Sequence, residues 1–168
     1  MTLGGNALLL RRESLLDPVV NLSATNGTGF IWNVSAPMTM EDSTTFQGAG
    51  TATFNFSGIL SGTGNIIKNG TSKLILSGGG TFGQVTVGVS GASDGNLEWK
   101  AGTGTTAGTY FGVGDNVSAA FTMSGGNLTV SPTNSLFVGS FSTSAVTGTM
   151  NVTGGTFALG TNVAVYVG

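Results

Sequence analysis

Two nearby carboxylates, Asp94 and Glu98, with the cation Lys100 close behind, are the best candidates for acid–base chemistry in this chain. Enzymes that cleave glycans place carboxylates and cations on one face, where one group donates a proton and another accepts it. The competing reading makes Asp94-Gly95 a turn and leaves Glu98 pointing outward between inward-facing Leu97 and Trp99. The alternation favours the turn. Glu41-Asp42 likewise reads as a turn after Met40, and Gly112 to Asn116 resembles a glycine-rich calcium turn. Calcium-binding solenoids repeat that turn at fixed spacing, whereas here it occurs once. Gly62-Thr63-Gly64 and Gly102-Thr103-Gly104 lack the lysine and the strand–loop–helix context of a phosphate loop. Thr-x-Thr pairs at Thr51/Thr53, Thr103/Thr105 and Thr147/Thr149 raise the idea of an ice-binding face. Such a face needs the pair at one phase of every coil, and these three are irregularly spaced.

Composition removes whole classes of activity. The 168 residues contain no Cys and no His, so triads, zinc sites and haem ligation that need them are excluded. Only 7% of residues are charged, against roughly 25% in an ordinary soluble domain. A net charge of −2 with five scattered Lys and Arg gives no footprint for nucleic acid or an anionic membrane. No cofactor is implied. Mean hydropathy is positive, which argues against a solvated coil, and no apolar run is long enough for a membrane-spanning helix. Leu8-Leu9-Leu10 runs straight into Arg11-Arg12-Glu13, the wrong order for an export signal, so any such signal is expected outside this chain.

The elements that must hold these residues emerge from internal repeats. Thr122 to Gly139 aligns without a gap on Asn151 to Gly168, and Thr51 to Gly58 aligns on Thr71 to Gly78. One apolar pair recurs as Phe54/Phe56, Leu74/Leu76, Leu97/Trp99, Leu128/Val130 and Phe157/Leu159. A second recurs as Val85/Val87, Phe111/Val113, Leu136/Val138 and Val165/Val167. The two-residue period between glycine corners is that of short strands and turns. Each unit is too small to bury its own apolar face, so the units must stack and merge their columns into one core.

The expected fold is therefore all-β: a right-handed parallel β-helix, or β-solenoid, of the single-stranded pectin-lyase-like architecture, its hand taken from the rule for parallel crossovers. About six coils would give a rod roughly 30 Å long. Residues 1–50 are expected as irregular N-terminal coils or a cap, with strands at Ala7–Leu10 and Ile31–Val34 and a short cap helix as the alternative; residues 51–168 form the regular coils. In this reading Leu97, Leu128 and Phe157 lie in a single file. Phe137 falls over Tyr166 between inward-facing neighbours, so both rings should point outward as a surface contact for sugar rings or a neighbouring subunit.

Residues 57–99 carry a family resemblance. Gly58-Ile59-Leu60-Ser61-Gly62-Thr63-Gly64-Asn65-Ile66-Ile67-Lys68-Asn69-Gly70, continuing through Leu74-Ile75-Leu76-Ser77-Gly78, resembles the autotransporter-associated β-strand repeat. Ser72-Lys73 stands where that family has Gly-Thr, and Gly79 to Gly83 replaces its Asn/Thr/Tyr-rich turn. Asn127 to Gly139 and Thr149 to Gly155 look like related repeats of large bacterial surface proteins, while Met1 to Met40 match poorly. The resemblance implies a secreted or cell-surface passenger with a solenoid fold, and it brings no catalytic residues. A structural stalk or adhesin-like scaffold is the expected role; a glycan-binding or polysaccharide-degrading β-helix is the alternative. The chain stops at Gly168 directly after an apolar pair, which reads as an excerpt of a longer protein or a unit meeting another copy end to end. The expected partners are thus neighbouring coils, a second copy or surface glycans, with no nucleic acid and no membrane insertion.

Overall fold

A computed structural model describes residues 2–23, 30–89, 94–131, 135–139 and 145–168. Short apolar–polar alternations become strands wherever glycine, serine or asparagine corners bound them. The first coil comprises β1 (Thr2–Leu3), β2 (Leu8–Leu10) and β3 (Val19–Asn21), and the second β4 (Ile31–Val34), β5 (Met38–Met40) and β6 (Thr44–Gln47). Coil three holds β7 (Thr53–Phe56), β8 (Leu60–Gly62) and β9 (Ile66–Asn69); coil four holds β10 (Lys73–Leu76), β11 (Gly80–Phe82) and β12 (Val85–Val87). Coil five consists of β13 (Gly95–Trp99), β14 (Thr103–Thr106) and β15 (Tyr110–Val113). Coil six consists of β16 (Ala119–Met123), β17 (Asn127–Val130) and β18 (Ser135–Val138), and the last of β19 (Gly148–Val152), β20 (Thr156–Leu159) and β21 (Ala164–Val167).

Every third strand pairs in parallel with its equivalent in the next coil, giving three seven-stranded sheets. Sheet A runs β1-β4-β7-β10-β13-β16-β19, sheet B β2-β5-β8-β11-β14-β17-β20, and sheet C β3-β6-β9-β12-β15-β18-β21. The molecule is a parallel β-helix, with no helix among the described residues. Seven coils replace the expected six because the first fifty residues supply two complete coils rather than a cap. Residues 7–17, where a cap helix behind Asn6 is the alternative, instead carry β2 and an antiparallel bridge between Glu13 and Leu16.

The core is a set of ladders. On sheet A, Leu3, Val34, Phe56, Leu76, Trp99, Met123 and Val152 follow one another in register through all seven coils. Beside them run Trp32, Phe54, Leu74, Leu97, Phe121 and Met150. This corrects the single file expected for Leu97, Leu128 and Phe157. Leu97 is followed by Phe121 on sheet A, whereas Leu128 and Phe157 are paired on sheet B. The first recurring column thus mixes two sheets. Strands of all three sheets carry apolar i, i+2 pairs, so one sheet's pair aligns in sequence on another's as readily as on its own.

The second column does belong to one sheet: Val85/Val87, Phe111/Val113, Leu136/Val138 and Val165/Val167 are register partners on sheet C. Most of the expected core residues are buried, among them Phe54, Leu74, Val85, Val87, Phe111, Val113, Leu128, Val130 and Leu136. Val138 and Phe157 are partly buried against the core. Leu159, Val165 and Val167 keep the ladder register but are 42%, 53% and 78% exposed. They sit on the last strands, with a coil on one side only.

Sheet B makes room for the largest side chain. Its inward ladder reads Leu60, Gly80, Gly104, Leu128, Phe157. A Cβ on Gly104 would lie 2.4 Å from Cη2 of Trp99, so glycine there is what lets the indole cross the core. Gly80 adopts φ 132° directly against the Leu60 carbonyl, a conformation that L residues avoid. The indole N–H has no partner among the described residues. That costs about 1–3 kcal/mol, less than the ~4–6 kcal/mol expected from burying so large an apolar surface.

Polar side chains lace the corners. At the junction of sheets B and C, Asn65 Nδ2 donates to Ser43 Oγ at 2.9 Å, and Asn65 Oδ1 accepts from the Gln84 backbone at 2.8 Å. Gln84 Nε2 then donates to Thr109 Oγ1, so one column ties four coils together.

Candidate functional site

Asp94 and Glu98 share a segment but not an environment. Asp94 immediately precedes β13 and is exposed, while Glu98 lies outward on that strand and is only 8% exposed. Extended backbone separates them by about 13 Å, beyond the roughly 5–10 Å over which paired carboxylates cleave glycosidic bonds. Register fixes the surroundings of Glu98: Lys73 lies on the neighbouring β10, and Ser124 directly follows the neighbouring β16. Lys73 Nζ forms an ion pair with Glu98 Oε2, and Ser124 Oγ donates to Oε1 at 2.5 Å. Burial alone would raise the pKa of Glu98. The hydrogen bonds from Lys73 and Ser124, with the charges of Lys73 and Lys100, outweigh burial and hold it below the ordinary carboxylate value. A carboxylate held ionised, with both oxygens engaged, is a cross-link between coils. It is poorly placed to trade protons. Lys100 is exposed at the corner beyond the strand.

Asp94 instead borders a shallow cleft of about 360 Å³, shared with Thr71, Asn96, Ser118, Thr147 and Thr149. The register of β13, β16 and β19 lines up Asn96, Ala120 and Thr149 along its floor. This arrangement offers hydroxyl, amide and carboxylate groups to a polar ligand. Among the described residues its lining holds no second titratable side chain.

The other candidates resolve as follows. Among the described residues no three acidic side chains cluster in a way that could hold a metal ion. Asp115, in the glycine-rich turn, is partly buried, and that burial raises its pKa. The rings of Phe137 and Tyr166 stack at 4.7 Å with planes 10° apart, and Tyr110 meets Phe137 edge-on at 6.1 Å. Stacking turns the two ring faces toward each other along the coil axis, and Tyr166 remains about half exposed. Thr53 and Thr149 belong to sheet A and Thr103/Thr105 to sheet B, so the three Thr-x-Thr pairs do not share a face.

No protein-family model, curated protein or solved structure matches the chain. The resemblance to the autotransporter-associated repeat therefore rests on the residues of Gly58 to Gly78 themselves.

Lys68 was missed by pattern reading. It occupies an inward position of sheet C, between Phe46 and Val87, and is 0% exposed. Its Nζ donates to the carbonyls of Asn69 and Gly70 at 2.6 and 2.8 Å, fastening the turn that leads to β10. Burial lowers its pKa to about 8. The signal was available in the strand Ile66-Ile67-Lys68, where alternation puts the lysine on the same side as Ile66.

Proposed function

We propose that this chain is a non-catalytic scaffold of a secreted or bacterial cell-surface protein, a rigid passenger or stalk serving presentation, adhesion or self-association. One observation carries the reading. The three sheets run in register through seven coils, while Arg12–Asp17 and Lys73–Glu98 form local ion pairs and Lys68 fastens a turn. Stacked parallel coils resist bending because each shares its core with two neighbours. The repeat resemblance supports a bacterial surface or secreted setting. The exposed apolar residues Leu3, Leu8, Val152, Val165 and Val167 on the outer coils support a second copy as a partner.

A second reading, carbohydrate binding, draws on the cleft beside Asp94. The two separate experimentally. Spin labels on Thr45→Cys and Tyr166→Cys, which lie on one outward column of sheet C, should give one narrow distance distribution near about 24 Å, five coil spacings. Incubation with a panel of polysaccharides should release no reducing ends. A broad distribution defeats the scaffold reading; sugar release abolished by Asp94→Asn replaces it with the glycan reading.

A further inference from the structure

The outer face of sheet B carries an array that the sequence spacing conceals. Thr39, Ser61, Thr81, Thr105 and Thr129 occupy one outward position in successive coils, by the register of β5, β8, β11, β14 and β17. Two residues back along the strands, Thr103, Asn127 and Thr156 form a second column. Thr81, Thr103, Thr105, Asn127 and Thr156 are exposed and Thr129 half-buried. Hydroxyls repeat at ~4.8 Å along the coil axis through Thr81, Thr105 and Thr129, and Thr103 and Thr105 set two of them ~6.6 Å apart along one strand. Thr39 and Ser61 bond to each other at 3.3 Å, whereas the hydroxyls of Thr81, Thr105 and Thr129 have no side-chain partner among the described residues. No charged residue and no outward aromatic ring lies on these strands; Lys100 stands at the adjacent corner, outside both columns.

We propose that this face binds the surface of ice. A row of threonine hydroxyls and methyl groups, flanked by a second row of Thr103, Asn127 and Thr156, can hold water in the regular positions of a crystal. Charged groups, which order water around themselves instead, are missing from the face. The lack of aromatic rings sets it apart from surfaces that grip crystalline polysaccharide by stacking on sugar rings. The irregular spacing of Thr-x-Thr in the sequence argued against such a face because corners of unequal length separate positions that the coils bring back into line. The inference rests on the coil register and not on the scaffold reading, so either can fail alone.

The test is thermal hysteresis and ice-crystal shaping by the 168-residue chain at millimolar concentration, with Thr105→Lys and Thr129→Lys on the face and Asn151→Lys on sheet A as the control. Wild type and Asn151→Lys should facet growing crystals and hold open a freezing–melting gap. Each face variant should lose that gap while keeping the wild-type circular dichroism spectrum and melting temperature. If Thr105→Lys misfolds, Thr129→Lys decides. Rounded, unshaped crystals with wild type, or an undiminished gap in a folded face variant, overturn the proposal. So does retention on microcrystalline cellulose without any effect on ice.

Discussion

The outer faces of sheets A and B are built on the same scaffold and use it in opposite ways. On sheet A the outward column Asn33, Asn55, Ile75, Glu98, Thr122 is cross-linked. Asn55 Nδ2 donates to Asn33 Oδ1 at 3.1 Å, Ser77 Oγ to Asn55 Oδ1 at 2.9 Å, and Lys73 and Ser124 converge on Glu98. On sheet B the corresponding column begins with the bonded pair Thr39 and Ser61 and continues as Thr81, Thr105 and Thr129, whose hydroxyls have no side-chain partner among the described residues. A side chain that bonds to the next coil adds to stability but has little left for a ligand. One that bonds to nothing in the protein contributes little to stability and remains available. Sheet A is thus the face that holds the coils together, and sheet B the face with bonding capacity to spare.

The sharpest way to break that contrast is to move a charge across a single strand. Leu128→Asp places a carboxylate in the sheet B ladder between Gly104 and Phe157, while Thr129→Asp places it on the outer face one residue away. The first should cost several kcal/mol and unfold or aggregate the chain. The second should leave the melting temperature nearly unchanged. Equal melting temperatures would mean that Leu128 is not in the core.

Lys68 tests the interior in the reverse direction, because a charge is already there. Its pKa is lowered to about 8 in the folded chain against an ordinary value of 10.5, so between these pH values the unfolded chain binds more protons. Stability should therefore rise as pH increases from about 8 to 10.5, by up to about 3 kcal/mol, the penalty of the buried charge being fully present below that window. Chemical denaturation at pH 7 and pH 10 measures it. Lys68→Met should flatten the dependence and be at least as stable as wild type at pH 7. A wild-type chain with no alkaline gain would show that the turn carbonyls of Asn69 and Gly70 compensate the charge in full.

Gly104→Ala has a smaller effect and again compares the two sides of sheet B. Its new Cβ would press on the Trp99 ring, and overpacking of this kind costs about 1–3 kcal/mol. Thr105→Ala, on the outer side of the same strand, should stay within about 0.5 kcal/mol of wild type. Tryptophan fluorescence during urea unfolding follows both, with Trp99 reporting the core directly.

These contrasts also explain what the sequence made legible. Strand alternation, glycine corners and the sheet C pairs Val85/Val87 through Val165/Val167 identify parallel coils, because that column recurs with a Gly after each pair. The assignment of Leu128 to the file of Leu97 failed because an apolar pair carries no label for its sheet; only the unread strand Ala119–Met123 between them would have revealed the extra step. The Glu98 cross-link was out of reach for a different reason. Lys73 and Ser124 meet it only through register across two coil boundaries of unequal length. The threonine column on sheet B was hidden in the same way.

The smallest expected effect probes the cross-link itself. Glu98 has a folded pKa depressed below its ordinary value of 4.5 by Lys73 and Ser124 against the opposing influence of burial. A depressed carboxylate contributes stability that is present above its unfolded pKa and is lost as pH falls through the folded one. Wild type should therefore soften on acidification below about pH 4.5, whereas Glu98→Gln, which keeps the shape but not the charge, should lose less over the same interval. At pH 7 the variant should be less stable by about 0.2–1 kcal/mol, the range for a pair whose lysine remains partly solvated. High salt should narrow the difference, since the exposed half of the pair is screened. A companion Thr105→Val, which removes a sheet B hydroxyl, should give the same acid profile as wild type. If Glu98→Gln also gives the wild-type profile, the cross-link contributes nothing measurable and the division of labour between the two faces is lost.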